Sequence, residues 1–300
     1  MSGEATGAAG DAAGELTVDV GSAPTRPWHR LRRSVPGVLG LVVMGVLLVV
    51  AVLAWLGVLP HDPIAQDAPN RLQRPSGAHW FGTDQFGRDV FSRVAAGLAN
   101  SVLIASVAVA LSAVVGTLAG VVAGYLRGAV DAVTGGVANV LFAFPPLLLA
   151  LTLVSVLDRT WFTVALAIAV VYVPIFFRVA RGPVLSLREQ DFVRAAVSTG
   201  QNPWATMALH VLPNISGLVI VQTALSLSWA VLTEASLSFL GLGTPPPAPS
   251  LGSMIFESRN VVSIANWTMI APGIVVVLLV AGLNLLGDGL RDAFDVKGRD

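Results

Sequence analysis

Long apolar runs separated by polar connections dominate the chain. A bilayer core of about 30 Å takes about 20 helical residues to cross. On that ruler the apolar runs predict six spans, at roughly 37–59, 99–125, 132–157, 161–180, 214–239 and 268–287. The first, Gly37–Leu59, has 23 residues, too long for the core of a secretory leader, and no small-residue cleavage site follows it. It reads as a retained span. Pro145 and Pro146 fall inside the third and should bend it, with neighbouring helices rescuing the freed carbonyls.

The polar stretches set the rest of the layout. Residues 1–25, rich in Gly, Ala, Ser and Thr, cannot bury a core and read as a disordered cytoplasmic tail. Residues 26–300 then form one transmembrane domain. Arg26, Arg30, Arg32 and Arg33 with Trp28 make a basic juxtamembrane patch. Six spans put both termini on one side. Placing them in the cytoplasm leaves 12 Lys and Arg inside and 6 outside, the favoured sense of the positive-inside rule. Three connections exceed a turn: 60–98 and 240–267 outside, and 181–213 inside. Loops of that length tend to carry function.

Composition agrees with the pattern. The chain is 54% hydrophobic and 12% charged, about half the charge of a soluble domain, with net charge zero and no cysteine. Zero net charge gives no footing for nucleic acid. Without cysteine there are no disulfides, thiolate metal sites or thiol nucleophiles. The one lysine, Lys297, precedes Gly298, so no phosphate-cradling G-x-x-x-x-G-K-[ST] loop can be written. None of His29, His61, His79 and His210 begins a metal motif, and no G-x-S-x-G is present. The chain reads as a non-enzyme with no cofactor of its own.

The internal loop has its own local grammar. Ser186 and Glu189 fit a capping box that would start a helix. Phe192, Val193, Ala196 and Val197 recur at helical spacing as one apolar stripe. Gly200 is a natural stop, Asn202 a cap for a second helix, and Pro203 its first residue. That helix runs to about His210, and Leu212-Pro213 leads into the fifth span. Two short helices joined by a Gly turn should lie on the cytoplasmic face.

This pattern resembles the coupling loop of ABC importer permeases, E-A-A-x-x-x-G-x(9)-I-x-L-P. Ala195, Ala196, Gly200, Leu212 and Pro213 match it, with Arg194 in the Glu position and His210 in the Ile position. Asp191-Phe192-Val193-Arg194-Ala195-Ala196 is similar to the variant usual in peptide permeases. The resemblance implies that the first helix docks in a groove of the ATPase subunit and transmits its closure to the spans.

Outside, Gly82-Thr83-Asp84 suits a capped turn before an interfacial helix. The stretch Gly82–Arg93 also resembles the G-T-D-x-x-G-R-D-V-x-S-R signature of C-type permeases from dipeptide, oligopeptide and nickel importers. Glu234–Gly243 is similar to that family's E-A-x-L-S-F-L-G-L-G, and Asn284–Asp292 to its N-x-x-G-D-x-L-R-D tail. Family members often carry Asp where this chain has Asn139. The resemblance covers about residues 30–300 and implies an all-α type I importer permease fold with six transmembrane helices in a bacterial plasma membrane, both termini inside.

It further implies a B-type permease partner, an extracytoplasmic binding protein, and one fused or two separate ABC ATPase subunits that hold ATP and Mg. Gly82, Thr83, Asp84, Arg88, Asp89 and Glu234 become candidates for an external gate or binding-protein contact. For Glu234 the other reading is a carboxylate snorkelling to the interface or pairing with an external Arg. Asn139, Gln222 and Asn284 are expected to hydrogen-bond between helices. Dipeptides or oligopeptides are the implied substrates, with nickel, haem, glutathione or oligosaccharides as alternatives. A rival of another class, an ion-gradient transporter, predicts an internal repeat and midplane acids, and neither is visible.

Overall fold

The computed structural model describes residues 31–32 and 34–294. The tail at 1–25, most of the basic patch and Lys297 lie outside the described residues. The described residues form helices and connecting loops, with a single isolated β-bridge between Thr83 and Asp89.

In chain order, α1 is Val35–Trp55, α2 Val90–Leu126, α3 Gly128–Ala143, α4 Pro146–Val156 and α5 Trp161–Leu187. The short α6 is Asp191–Ser198. Then come α7 at Pro203–Phe239, α8 at Leu251–Ser258 and α9 at Trp267–Phe294. Five of these are long and apolar enough to cross a membrane. A sixth candidate crossing is a bent pair, α3 with α4. Phe144 leaves the helical region, Pro145 and Pro146 donate no N–H, and α3 and α4 meet at 95°. With 16 and 11 residues, or about 24 and 16 Å, each half alone is shorter than the hydrocarbon core.

The helices overrun the apolar runs that locate them. Hydropathy places the second span at 99–125, but α2 starts at Val90 and has 37 residues, about 55 Å. Asp89 caps its first turn, its side chain accepting the Ser92 N–H at 2.8 Å. The polar Ser92 and Arg93 are taken into the helix because their side chains find partners in other elements. Likewise α5 runs seven residues past 180, to Leu187.

At the centre, α2 packs along α5 through Gly116, Gly120 and Gly124. A Cβ on Gly120 would stand 2.5 Å from the Phe177 carbonyl oxygen, and one on Gly124 3.0 Å from that of Arg181. Small residues four apart bring the two backbones together where no hydrophobic drive between helices exists. α1 lies against α9, and α9 against α7. Asn284 accepts the Ser228 hydroxyl at 2.7 Å between those last two, and Asn139 accepts from Arg178 at 3.0 Å between α3 and α5. Gln222 differs from expectation: it donates to Ser226 one turn along its own helix.

Candidate functional site

Two polar elements sit at opposite ends of α2. At its C-terminal end lies the internal loop. The expected capping box does not form, because α5 continues through Ser186 and ends at Leu187. Glu189 is instead taken by guanidiniums, Oε2 accepting from Arg194 at 2.9 Å and Oε1 pairing with Arg127 at 3.2 Å. The Arg194 hydrogen bond, helped by the nearby positive charge of Arg127, holds its carboxyl below the ordinary 4.5. The helix α6 starts later, with Gln190 at the cap and Asp191 in its first turn, where negative charge suits the helix dipole.

The stop at Gly200 is as the sequence reads. Gly200 has φ +80°, its N–H bonds to Val197 O, and the Gln201 N–H bonds to Ala196 O, the paired reverse bonds of a Schellman motif. Asn202 then caps the next helix through Trp204 N at 2.9 Å, with Pro203 at its first position. This second helix does not end at His210. It passes through a π-helical turn, Met207–Val211, into the fifth span as one continuous α7. The π turn absorbs the missing N–H of Pro213 without breaking the helix. His210 ties the turn together, its Nε2 lying 3.2 Å from Gln201 Oε1 and its ring 6.5 Å from that of Phe192.

The apolar stripe of α6 splits. Val193 is buried among Val121, Tyr125, Val184, Met207 and Val211, so one side chain wedges against the ends of α2, α5 and α7. Ala196 is half-buried, while Phe192, Arg194, Ala195 and Val197 face outward. Arg188 closes the junction, donating to the Tyr125 carbonyl at 2.6 Å. A rigid helix is thus anchored on three spans by one face and leaves Phe192 and Val197 open on the other.

At the other end of α2 stands a folded knot of loop. Gly82, at φ +71°, begins it. Thr83 is fully buried: its hydroxyl donates to Asn70 O and accepts from Gln73 N, and its carbonyl accepts the Trp267 indole N–H at 3.1 Å. Asp84 Oδ1 accepts the Phe86 and Arg88 N–H groups, and Oδ2 takes Arg88 Nε at 2.6 Å. Arg88 and Arg93 then both reach Glu257 of α8, at 2.6 and 3.2 Å. Nothing in the local sequence marks Glu257. Its partners lie 169 and 164 residues away, and no short-range pattern encodes them.

The six residues named for an external gate or binding-protein contact are all interior: Gly82, Thr83, Asp84, Arg88 and Asp89 inside the knot, and Glu234 in α7. Glu234 neither snorkels nor pairs with an Arg. It is fully buried, accepting hydroxyls from Ser101 of α2 at 2.8 Å and from Ser238 at 2.7 Å. Bound hydroxyls make burial of a carboxyl group tolerable. What the knot turns outward is Trp80, Phe81 and Phe86.

Residues 116–299 match the family described as binding-protein-dependent transport system inner membrane component, and residues 26–75 the N-terminal TM domain of oligopeptide transport permease C. The chain is 39% identical to the dipeptide transport system permease protein of Alkalihalophilus pseudofirmus over 90% of each chain. It is 38% identical to a probable D,D-dipeptide transport system permease protein of Escherichia coli over 86% of each. With the glutathione transport system permease protein of Pectobacterium atrosepticum it shares 38% identity over 90% of each. A bundle of five long apolar helices and a bent pair, with a short helix anchored on three of its spans, matched along nine-tenths of its length, is thus a multi-pass bacterial plasma-membrane protein of the type I importer permease fold, and the chain belongs to the binding-protein-dependent transport system inner membrane component family, among the C-type permeases of the dipeptide/oligopeptide ABC importers.

Proposed function

We propose that this permease forms one half of a translocation path for dipeptides or oligopeptides, completed by a B-type permease, fed from outside by a binding protein and driven by separate ATPase subunits that bind ATP and Mg. The observation that carries this reading is α6: eight residues, stopped by a Schellman turn, wedged on three spans through Val193, with Phe192 and Val197 open. An exposed apolar face beside small side chains at Ala195 and Ala196 suits close docking in a groove of another protein.

The mechanism follows from rigidity. Closure of the ATPase pair pushes α6, and Val193 transmits the push to the ends of α2, α5 and α7. Because α7 continues from the loop through the π turn, the force enters a span directly. The spans rock outward to receive peptide and reset inward after hydrolysis, an alternating access with the energy supplied by other chains. The interior knot around Asp84, Arg88 and Asp89 acts on the external gate by position, holding the outer ends of α2, α8 and α9 together, and not by touching the binding protein.

The test is uptake of a labelled dipeptide in cells lacking the chain, complemented with Ala196→Arg or Gly200→Arg. The reading requires both variants to reach the membrane yet lose ATPase co-purification and uptake. Retention of both sinks it. Glutathione, carried by one relative according to its name, is the competing substrate in the same assay.

A further inference from the structure

We propose that His61, His79 and Asp89 form an external binding site for a divalent ion of the zinc class, which staples the loop after α1 to the start of α2. The three side chains each offer one ligand atom, and these atoms lie within 4.8 Å of one another. His79 Nδ1 is 2.9 Å and His61 Nδ1 3.8 Å from the same oxygen, Asp89 Oδ1. Donors around a tetrahedral zinc ion, bound at about 2.0–2.2 Å, stand roughly 3.3 Å apart. The two imidazole-to-carboxylate spacings bracket that value, and side-chain rotation would bring the whole set, now within 4.8 Å, onto one ion. The two ring centroids are 4.7 Å apart with their planes tilted by 33°, so the imidazoles sit side by side at the carboxylate that each approaches through Nδ1.

The carboxylate is held ready. Its second oxygen is occupied by the Ser92 N–H, which fixes the Asp89 side chain and leaves Oδ1 toward the rings. The Ser92 hydroxyl in turn accepts the His61 backbone N–H, locking the loop to α2. The adjacent guanidiniums of Arg88 and Arg93 are engaged by Asp84 and Glu257, so the groups set against Asp89 Oδ1 are imidazoles. Two imidazoles and one carboxylate select a borderline transition-metal ion over Mg or Ca, which take oxygen ligands. The Asp89 side chain is 2% exposed and that of His61 40%, so a bound ion would keep a solvent-facing position and exchange with the outside medium.

The experiment uses the full-length chain purified in detergent without a polyhistidine tag, stripped with chelator and titrated with zinc chloride against a chromophoric competitor. One zinc per chain is expected, with affinity falling roughly tenfold or more in His61→Ala and His79→Ala, since even groups that only orient a ligand are worth about 10–100-fold. Zinc should also slow hydrogen exchange of residues 60–70 in the unsubstituted chain alone. Absence of binding to the unsubstituted chain overturns the site, as does unchanged affinity in His61→Ala. That side chain is substantially exposed, so its removal leaves the fold intact and the result decisive even where His79→Ala misfolds.

Discussion

Arg88 donates its Nη2 to Glu257 Oε2 at 2.6 Å, joining the loop before α2 to a helix 169 residues later. Arg93, itself buried, shares the same oxygen at 3.2 Å. Removing Glu257 strips both guanidiniums of it and leaves Asp84 as their one carboxylate partner. Breaking a buried pair from one side costs about 3–5 kcal/mol, and the partial exposure of Glu257 places this case nearer about 2–3. Glu257→Ala should therefore lower the thermal midpoint of the detergent-solubilised protein, and Glu257→Gln should lower it less. An unchanged midpoint in Glu257→Ala would show that the network carries no stability.

Glu234 distinguishes a scaffold from a gate. Glu234→Ala leaves the Ser101 and Ser238 hydroxyls unpaired in the interior, at about 1–3 kcal/mol for an orphaned group. Glu234→Gln keeps size and hydrogen bonding. A scaffold role predicts that uptake and stability fall together in the alanine variant and that both survive in the glutamine variant. Loss of uptake in Glu234→Gln at full stability would assign the carboxylate to transport.

The close approach of α2 and α5 tolerates no side chain at Gly120. Gly120→Val drives a branched group against the Phe177 carbonyl, and overpacking of this kind costs about 1–3 kcal/mol. Gly136→Ala on α3 meets nothing within 4 Å and serves as the comparison. Membrane accumulation of the two variants should differ clearly, with Gly120→Val reduced.

The turn after α6 depends on a left-handed residue. Gly200→Ala forces a Cβ into φ +80° at about 1–2 kcal/mol, whereas Gly200→Asn is better tolerated. If the angle between α6 and α7 transmits force, Gly200→Ala should lower peptide-stimulated ATP hydrolysis in the assembled complex more than Gly200→Asn does. Equal activity of the two would remove the turn from the coupling path.

Glu189 gives the pH behaviour of the coupling loop. Its pKa is held below the ordinary 4.5, chiefly by the Arg194 hydrogen bond, so the pairing is present above that value and is lost only as pH falls beneath it. Between about pH 7.5 and about pH 5 the loop should therefore keep its ion pairs, and ATPase association should not weaken through Glu189 in that window. Glu189→Gln, which removes the charge paired with Arg127 and Arg194, should reduce uptake with little change in thermal midpoint. Identical pH profiles for ATPase association in the parent and Glu189→Gln over that window complete the test.

Local signals in the sequence were enough to mark the long apolar helices, the Gly200 stop and the Asn202 cap. A membrane crossing is an uninterrupted apolar run, and a Schellman stop needs only a handful of consecutive residues, so both are written within one stretch of chain. Hydropathy begins the second span at 99, whereas α2 starts at Val90 and takes in the interfacial stretch, because Glu257 and Asp84 satisfy Arg93 within that helix. The Ser186–Glu189 cap does not form because α5 runs on through Ser186 to Leu187, and the Glu189 carboxylate pairs with Arg127 and Arg194 instead. Only the tertiary structure decided that Glu234 is interior, that Glu257 binds two arginines, and that His61 and His79 face Asp89. Those arrangements join segments from 10 to 169 residues apart, and their energy comes from pairing and burial after the helices have packed. The sequence determined which segments enter the membrane, because each carries its own transfer free energy; the packing determined which polar groups meet.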